Sequence, residues 1–235
     1  MPAEIKVLST TAMKTTLEQL APEFERHNGY KLVASYGPSG QIAKRIADGE
    51  TFDVAIVTGE GLEDLIKDGK VVPGSRAGIA RSGMGVAVQK GAKKPDISSA
   101  AAFKDAMLAA KAIAMSNPVG GGQSGIHLAK IFDTLGIAEA VKPKTRYGQG
   151  GPAGLIGLFL VRGEADIGVQ QLPELMAVPD IDIVGPLPSE IQSITSFVAG
   201  VSTTAEDSSA AKALIAFLTT PAAAAVMKAK GMESG

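Results

Sequence analysis

Between Ile5 and Gly69 short β-like runs alternate with helical runs, and no other feature constrains the fold of this chain more. Ile5 to Leu8 reads as a strand. Met13 to His27 carries apolar residues at Met13, Leu17, Leu20, Ala21 and Phe24, a helical period, and Asn28-Gly29 closes it. Tyr30 to Tyr36 reads as a second strand, and Ser39 to Asp48 as a second helix stopped by Gly49. Val54 to Val57 is continuously apolar, the mark of a strand buried on both faces. Leu62 to Asp68 is a short helix closed by Gly69. This β-α-β-α-β order implies parallel strands, right-handed crossovers and helices on both faces of a sheet.

The tempo changes after Ser75. Ser75 to Gly91 is strand-like, with a crossover or bend expected at Gly83 and Gly85. Ala100 to Ala110 and Ile126 to Leu135 read as helices flanking a strand at Ala112 to Met115. Leu155 to Arg162 is a further helix, and Asp166 to Gln170 and Ile181 to Val184 are further strands. The end, Ser208 to Lys230, is an Ala-rich helical pair punctuated by Pro221. The pattern predicts an α/β protein of two lobes, each a mostly parallel sheet flanked by helices. One lobe is discontinuous, residues 1–82 plus 197–235, and residues 83–196 form an inserted second lobe. Two chain crossings would make an inter-lobe hinge, and ligands favour clefts of that kind.

Four strand-to-helix junctions share one composition: Ser9-Thr10-Thr11-Ala12, Gly37-Pro38-Ser39-Gly40, Gly120 to Gly125, and Gly148 to Gly154. In parallel α/β sheets such loops gather beyond the carboxyl ends of the strands. Helix N-termini there offer free N–H groups and partial positive charge to an anion. Small residues let the backbone come close, and Ser and Thr add hydroxyl donors. Lys and Arg are nearly absent from these loops, so an anion would be held by dipolar donors. Gly120, Gly122 and Gly125 also fit G-x-G-x-x-G, but Ile126 and His127 stand where a Walker motif needs Lys and Ser/Thr. The acidic residue of a dinucleotide fingerprint is missing as well, because Glu139 comes too early.

Composition closes other routes. The 235 residues carry a net charge of −1 without a basic run, which argues against nucleic acid as a partner. Aromatic residues make up 4% and Trp is absent, so base-stacking platforms are not expected. There is no Cys, which removes disulfides and thiolate sites, and no His/Asp/Glu cluster has metal-ligand spacing. No segment reaches the ~20 apolar residues of a membrane span, so no membrane insertion is expected. No cofactor is expected, and the default for a hinged binder is a monomer. The start, "MPAEIKVLST", has no charged region followed by an apolar run. A periplasmic location therefore requires a leader upstream of Met1, and a native start at Met1 gives a cytoplasmic protein.

Several stretches together carry a family resemblance. "VLSTTAMKTTLEQLAPEF", "SYGPSGQIAKRIADGETFDVAIVT", "GEADIGV" and "ALIAFLTTPAAAAVMKAKGM" make the chain resemble, nearly end to end, the molybdate-binding proteins of ABC transporters. These have the type II periplasmic binding protein fold. "GGGQSGIH", "GPLPSEIQ" and the C-terminal "GM" look like a divergent branch of that family, similar to aconitate isomerase. The resemblance implies a small-anion ligand and a permease partner. It carries the first-loop serine of the family onto Ala12, where Thr10 or Thr11 would supply the hydroxyl, and the second-loop serine onto Ser39. The third-loop donor falls at Ser124 and Gly125 beside Gly122, and the fourth at Ala153. The family's closing tyrosine falls at Gln171. Without the first serine and that tyrosine, a small organic carboxylate competes with molybdate as the expected ligand.

Two further side chains bear on chemistry. Arg81 stands near the cleft loops and could clamp a carboxylate bidentately. His127 is expected in the first turn of the helix after the Gly loop, where the helix N-terminus disfavours the imidazolium. A neutral His there could donate to a ligand. It could also act as the base of a tricarboxylate isomerase. His27, beside Asn28-Gly29, reads as a helix-terminal structural residue.

Overall fold

The computed structural model describes residues 3–149 and 154–235, which form two compact units. Unit 1 comprises Met1–Arg81 and Thr195–Gly235; unit 2 is Ser82–Ile194.

Unit 1 is built on β1 (Glu4–Thr10), paired in parallel with β2 (Lys31–Gly37) on one side and β3 (Val54–Thr58) on the other. A later strand, β9 (Ile194–Val201), adds antiparallel to β3. The crossovers are α1 (Lys14–Asn28) and α2 (Ser39–Ala47), and α3 (Gly59–Lys67) follows β3. α1 ends where Gly29 takes φ 74°, a left-handed cap whose N–H donates to the Glu25 carbonyl. Successive β1 residues feed opposite faces. Ile5 and Val7 pack with Leu17, Leu20 and Phe24 of α1, while Leu8 packs with Ile42, Ile46 and Leu62. Burial of each such side chain is worth roughly 1.5–3 kcal/mol. The terminal helices α9 (Ser208–Leu218) and α10 (Pro221–Ala229) complete the first of these cores through Leu214, Leu218 and Met227. Together they would pass as an apolar span, but they are bent by 61°, and among the described residues no single helix is long and apolar enough to cross a membrane.

Unit 2 repeats the scheme. Here β5 (Ile113–Ser116) lies between β6 (Thr145–Gly148) and β7 (Ile167–Gln171), all parallel. The long β4 (Ala77–Gln89) adds antiparallel to β7, and β8 (Ile181–Pro186) adds antiparallel to β4. The helices are α4 (Ala100–Ala109), α5 (Gln123–Thr134), α6 (Ala138–Val141), α7 (Gly157–Val161) and α8 (Leu172–Met176). One core gathers Phe103, Met107, Ile113, Met115, Leu128 and Val169; the other gathers Ala114, Ile156, Leu160 and Leu175.

Three local expectations need refinement. The crossover or bend expected at Gly83 and Gly85 leaves no break in the strand, because both lie within the continuous 13-residue β4, and the chain passes from unit 1 to unit 2 just before them, at Arg81–Ser82. They are small because of what lies against them. A Cβ on Gly83 would stand 3.2 Å from the Gln192 amide, and one on Gly85 would stand 2.4 Å from Leu172 Cδ2. The helix expected from Ile126 starts at Gln123, three residues earlier. The apolar pattern does not announce β6, a four-residue strand at the end of the sheet order.

Candidate functional site

In unit 1 the pairing register brings two of the expected loops side by side. Thr10 ends β1 directly opposite Gly37 at the end of β2. Thr10, Thr11, Ala12 and Ser39 are all buried, at 3–7% exposure. Thr10 holds the N-cap position of a 3-10 turn (Thr11–Met13), and Pro38 holds that of α2, yet neither makes a side-chain cap. Among the described residues the hydroxyls of Thr10, Thr11 and Ser39 have no internal hydrogen bond. Among the described residues the Thr16 hydroxyl is the unpartnered side-chain polar atom that is sealed from solvent, so those three remain accessible.

The longer helices away from these loops are capped, whereas the short α6, α7 and α8 carry no side-chain cap. Thr58 accepts from the Gly61 N–H at α3, Ser99 from Ala102 at α4, Asp207 from Ser209 and Ala210 at α9, and Thr220 from Ala223 at α10. A side-chain cap satisfies a free helix N–H and is worth about 1 kcal/mol. The first turns at Thr11 and Ser39, and that of α5, forgo it. Their N–H groups stay available to an anion.

In unit 2 the chain after β5 winds around its last residue. A Cβ on Gly122 would lie 2.9 Å from Ser116 Cβ, and one on Gly125 would lie 2.2 Å from the Ser116 carbonyl oxygen. The glycines therefore serve close packing of the loop on its own strand, which is a different demand from that of a pyrophosphate. Ser124, 3% exposed, is in the first turn of α5 and donates to Ser116 Oγ at 3.1 Å. Gln171, 4% exposed, ends β7 and stands at the N-cap of α8. Ala153 lies outside the described residues.

Two expected residues are placed differently. Arg81 is at no strand-to-helix junction. It sits within β4 opposite Glu233 of β10 (Glu233–Ser234), and its guanidinium is 3.0 Å from that carboxylate in an exposed ion pair. His127 is the fifth residue of α5, beyond the first turn, because the helix begins earlier than expected. Its Nε2 lies 3.0 Å from the Ile191 carbonyl oxygen. A carbonyl only accepts, so Nε2 carries the hydrogen, and in the neutral imidazole Nδ1 is then the nitrogen with the lone pair.

Residues 5–233 match the family described as bacterial extracellular solute-binding protein. The chain belongs to that family. This solute-binding protein is 34% identical over 235 residues to an aconitate isomerase from a Pseudomonas species, covering 97% of this chain and 87% of that one. It is 28% identical over 236 residues to the molybdate-binding protein ModA of Azotobacter vinelandii, covering 97% and 89%. The solved periplasmic molybdate-binding protein of Azotobacter vinelandii superposes with a TM-score of 0.81 at 23% identity, over 98% of this chain and 99% of that one.

The structure of this solute-binding protein also shows polar groups outside the expected donor loops. Gln170 is 1% exposed in a strand that is otherwise apolar up to Gln171. It binds Ile156, Gly154 and Ser116. A signal for it exists in the sequence: a glutamine inside a buried strand must find partners. Glu174 takes the third position of α8, and its carboxylate accepts the Gln171 backbone N–H. Burial nonetheless pushes its pKa up to about 8. An acidic residue three places after a helix N-cap is a capping-box pattern readable in "QLPE".

Proposed function

We propose that this solute-binding protein captures a small anion, either an oxyanion or a small organic carboxylate, and delivers it to an ABC-type permease. The observation that carries the reading is the contrast in capping. The longer helices away from the donor loops, α3, α4, α9 and α10, satisfy their N-termini with side chains, while those at Thr11, Ser39 and Gln123 do not; the four-residue α6 is likewise uncapped. The accessible hydroxyls of Thr10, Thr11 and Ser39 stand beside these free N–H groups. An anion held by such donors, without a cation, is selected by shape and hydrogen-bond count and is released readily. The ligand set takes in Ala12 through its backbone and, from unit 2, Gly122, Ser124, Gly125 and Ala153 through their backbone N–H groups, with Gln171. The reading places a monomer in the periplasm, behind a leader.

Titration calorimetry with molybdate, sulfate, citrate, and cis- and trans-aconitate tests this. Saturable 1:1 binding of at least one is expected. Absence of binding to every one overturns the reading.

A second reading is a tricarboxylate isomerase on the same scaffold. The 34% identity to a protein bearing the name aconitate isomerase favours it. The free lone pair at His127 Nδ1 is its candidate base. Incubation with cis-aconitate followed by proton NMR decides it. Formation of the trans isomer, abolished by His127→Ala, supports this reading; an unchanged spectrum removes it.

A further inference from the structure

We propose that Ser116, and not Ser124, is the hydroxyl that unit 2 offers to the bound anion, with Gln170 as its positioning residue. The inference rests on the anion-binding reading above and adds a contact to that same site.

The first argument is a structural equivalence between the two units. Each central strand is anchored at its start by an aspartate that precedes a neighbouring strand. Asp53 Oδ2 accepts the Lys6 N–H, and Asp53 N–H donates to the Lys6 carbonyl. In unit 2, Asp166 Oδ1 accepts the Ala112 N–H, and Asp166 N–H donates to the Ala112 carbonyl. From these anchors the registers run in step. Val7 pairs with Val54 and Ile113 with Ile167; three residues on, Thr10 faces Gly37 and Ser116 faces Gly148. Ser116 is therefore the unit 2 counterpart of Thr10: a hydroxyl residue ending the central strand, level with a glycine that ends its neighbour.

The second argument is hydrogen-bond capacity. The orientation of the Gln170 amide is fixed by two backbone groups. The Ile156 N–H, at 3.1 Å, requires the amide oxygen, and the Gly154 carbonyl, at 2.9 Å, requires the amide nitrogen. The second N–H of that nitrogen then donates to Ser116 Oγ, at 3.2 Å. Ser124 donates its only hydroxyl proton to the same oxygen. A serine hydroxyl has two acceptor sites and one proton. Both acceptor sites of Ser116 are filled, so its own proton is free to donate. Ser124 is buried and its proton is spent, whereas Ser116 is only part-buried. An anion needs donors, and in this network Ser116 supplies one.

The test is titration calorimetry of Ser116→Ala, Ser116→Thr and Ser124→Ala with whichever of molybdate, sulfate, citrate or aconitate the wild type binds. Ser116→Ala is expected to weaken binding about 10-fold or more, the usual cost of a lost hydrogen bond to a charged group. Ser116→Thr retains the hydroxyl and is expected to keep affinity within about 3-fold, as is Ser124→Ala. Gln170→Leu is expected to weaken binding in the wild type but to add little on top of Ser116→Ala, a non-additivity that a merely structural residue would not show. Melting temperatures of the ligand-free variants check folding, and the serine variants carry the test if Gln170→Leu does not fold. Unchanged affinity in Ser116→Ala, or a loss in Ser124→Ala at least as large as in Ser116→Ala, overturns the assignment while leaving anion binding standing. A wild type that binds none of the anions overturns both.

Discussion

Glu174 stands three residues beyond Gln171, so any titration it undergoes occurs beside the candidate ligand set. Part of the residue is open to solvent, but its carboxyl is packed among protein atoms. Desolvation raises its pKa from 4.5 to about 8, against the weaker opposing pull of the Gln171 N–H. The sign of the consequence follows from proton counts. Between the unfolded and folded pKa values the folded state binds more protons, so stability falls as pH rises through that window and levels off above it. Glu174→Gln keeps an oxygen for the Gln171 N–H but cannot ionise. Its stability relative to wild type is expected to rise by a few kcal/mol between pH 5 and pH 8, at about 1.36 kcal/mol for each pH unit and less where the surroundings relax around the ionised carboxylate. Urea midpoints at pH 5, 6.5 and 8 measure this. Parallel pH profiles for the two proteins would show that the carboxyl titrates normally.

At the scale of elements, the glycines after β5 differ in what they can accept. Gly→Ala within a helix ordinarily stabilises by up to ~1 kcal/mol. Gly125 lies in the first turn of α5, but an added Cβ would stand 2.2 Å from the Ser116 carbonyl oxygen and 2.8 Å from its carbon. Backbone cannot yield as a flexible side chain can, so Gly125→Ala is expected to destabilise by about 3 kcal/mol. A Cβ on Gly120 would meet nothing nearer than the Asn117 carbonyl oxygen, at 3.6 Å. Gly120→Ala is therefore expected to stay within about 0.5 kcal/mol of wild type in chemical denaturation. Equal effects at the two positions would refute the packing account. The same loop shows what can be read from sequence. α1, α2 and β3 announce themselves through apolar periodicity because their side chains make the core. The first turn of α5 packs through Ser124-Gly125, whose contribution is backbone contact and a hydroxyl, and Gln123 is exposed, so hydrophobic pattern places the helix start three residues late. β6 leaves little trace because its Arg146 and Tyr147 are exposed. The candidate site divides in the same way. Thr10, Thr11 and Ser39 are legible because donor residues precede a helical run. Ser116 emerges only from strand register and side-chain geometry, products of non-local pairing, and the sequence marks Gln170 as a polar residue in a buried strand without giving its partners.

For the whole molecule, the decisive arrangement is an inserted unit whose two ends are stapled to each other. β4 and β9 carry the chain between the units at Arg81–Ser82 and at Ile194–Thr195. On the unit 2 side, the Gln192 amide imitates a strand. Its Oε1 accepts the Met84 N–H at 2.8 Å and its Nε2 donates to the Met84 carbonyl at 3.0 Å, while Leu187 N–H donates to that same carbonyl. Gly83 leaves room for this amide. The pairing of β4 with β7 and β8 runs from Met84 to Gln89 and stays inside the unit, as do both unit 2 cores. A segment that closes its own ends and buries its own core meets the conditions for independent folding. The fragment of residues 82–194 is therefore expected to unfold cooperatively on heating and to give a dispersed amide NMR spectrum. Gln192→Ala in that fragment removes both staple bonds, each worth about 1 kcal/mol, and should lower its melting temperature by several degrees. The complementary unit joins residues 1–81 to 195–235 and gains no such closure from Gln192. A fragment of residues 82–194 that stays unfolded would mean that the stapled ends and private cores do not suffice for folding without the rest of the chain.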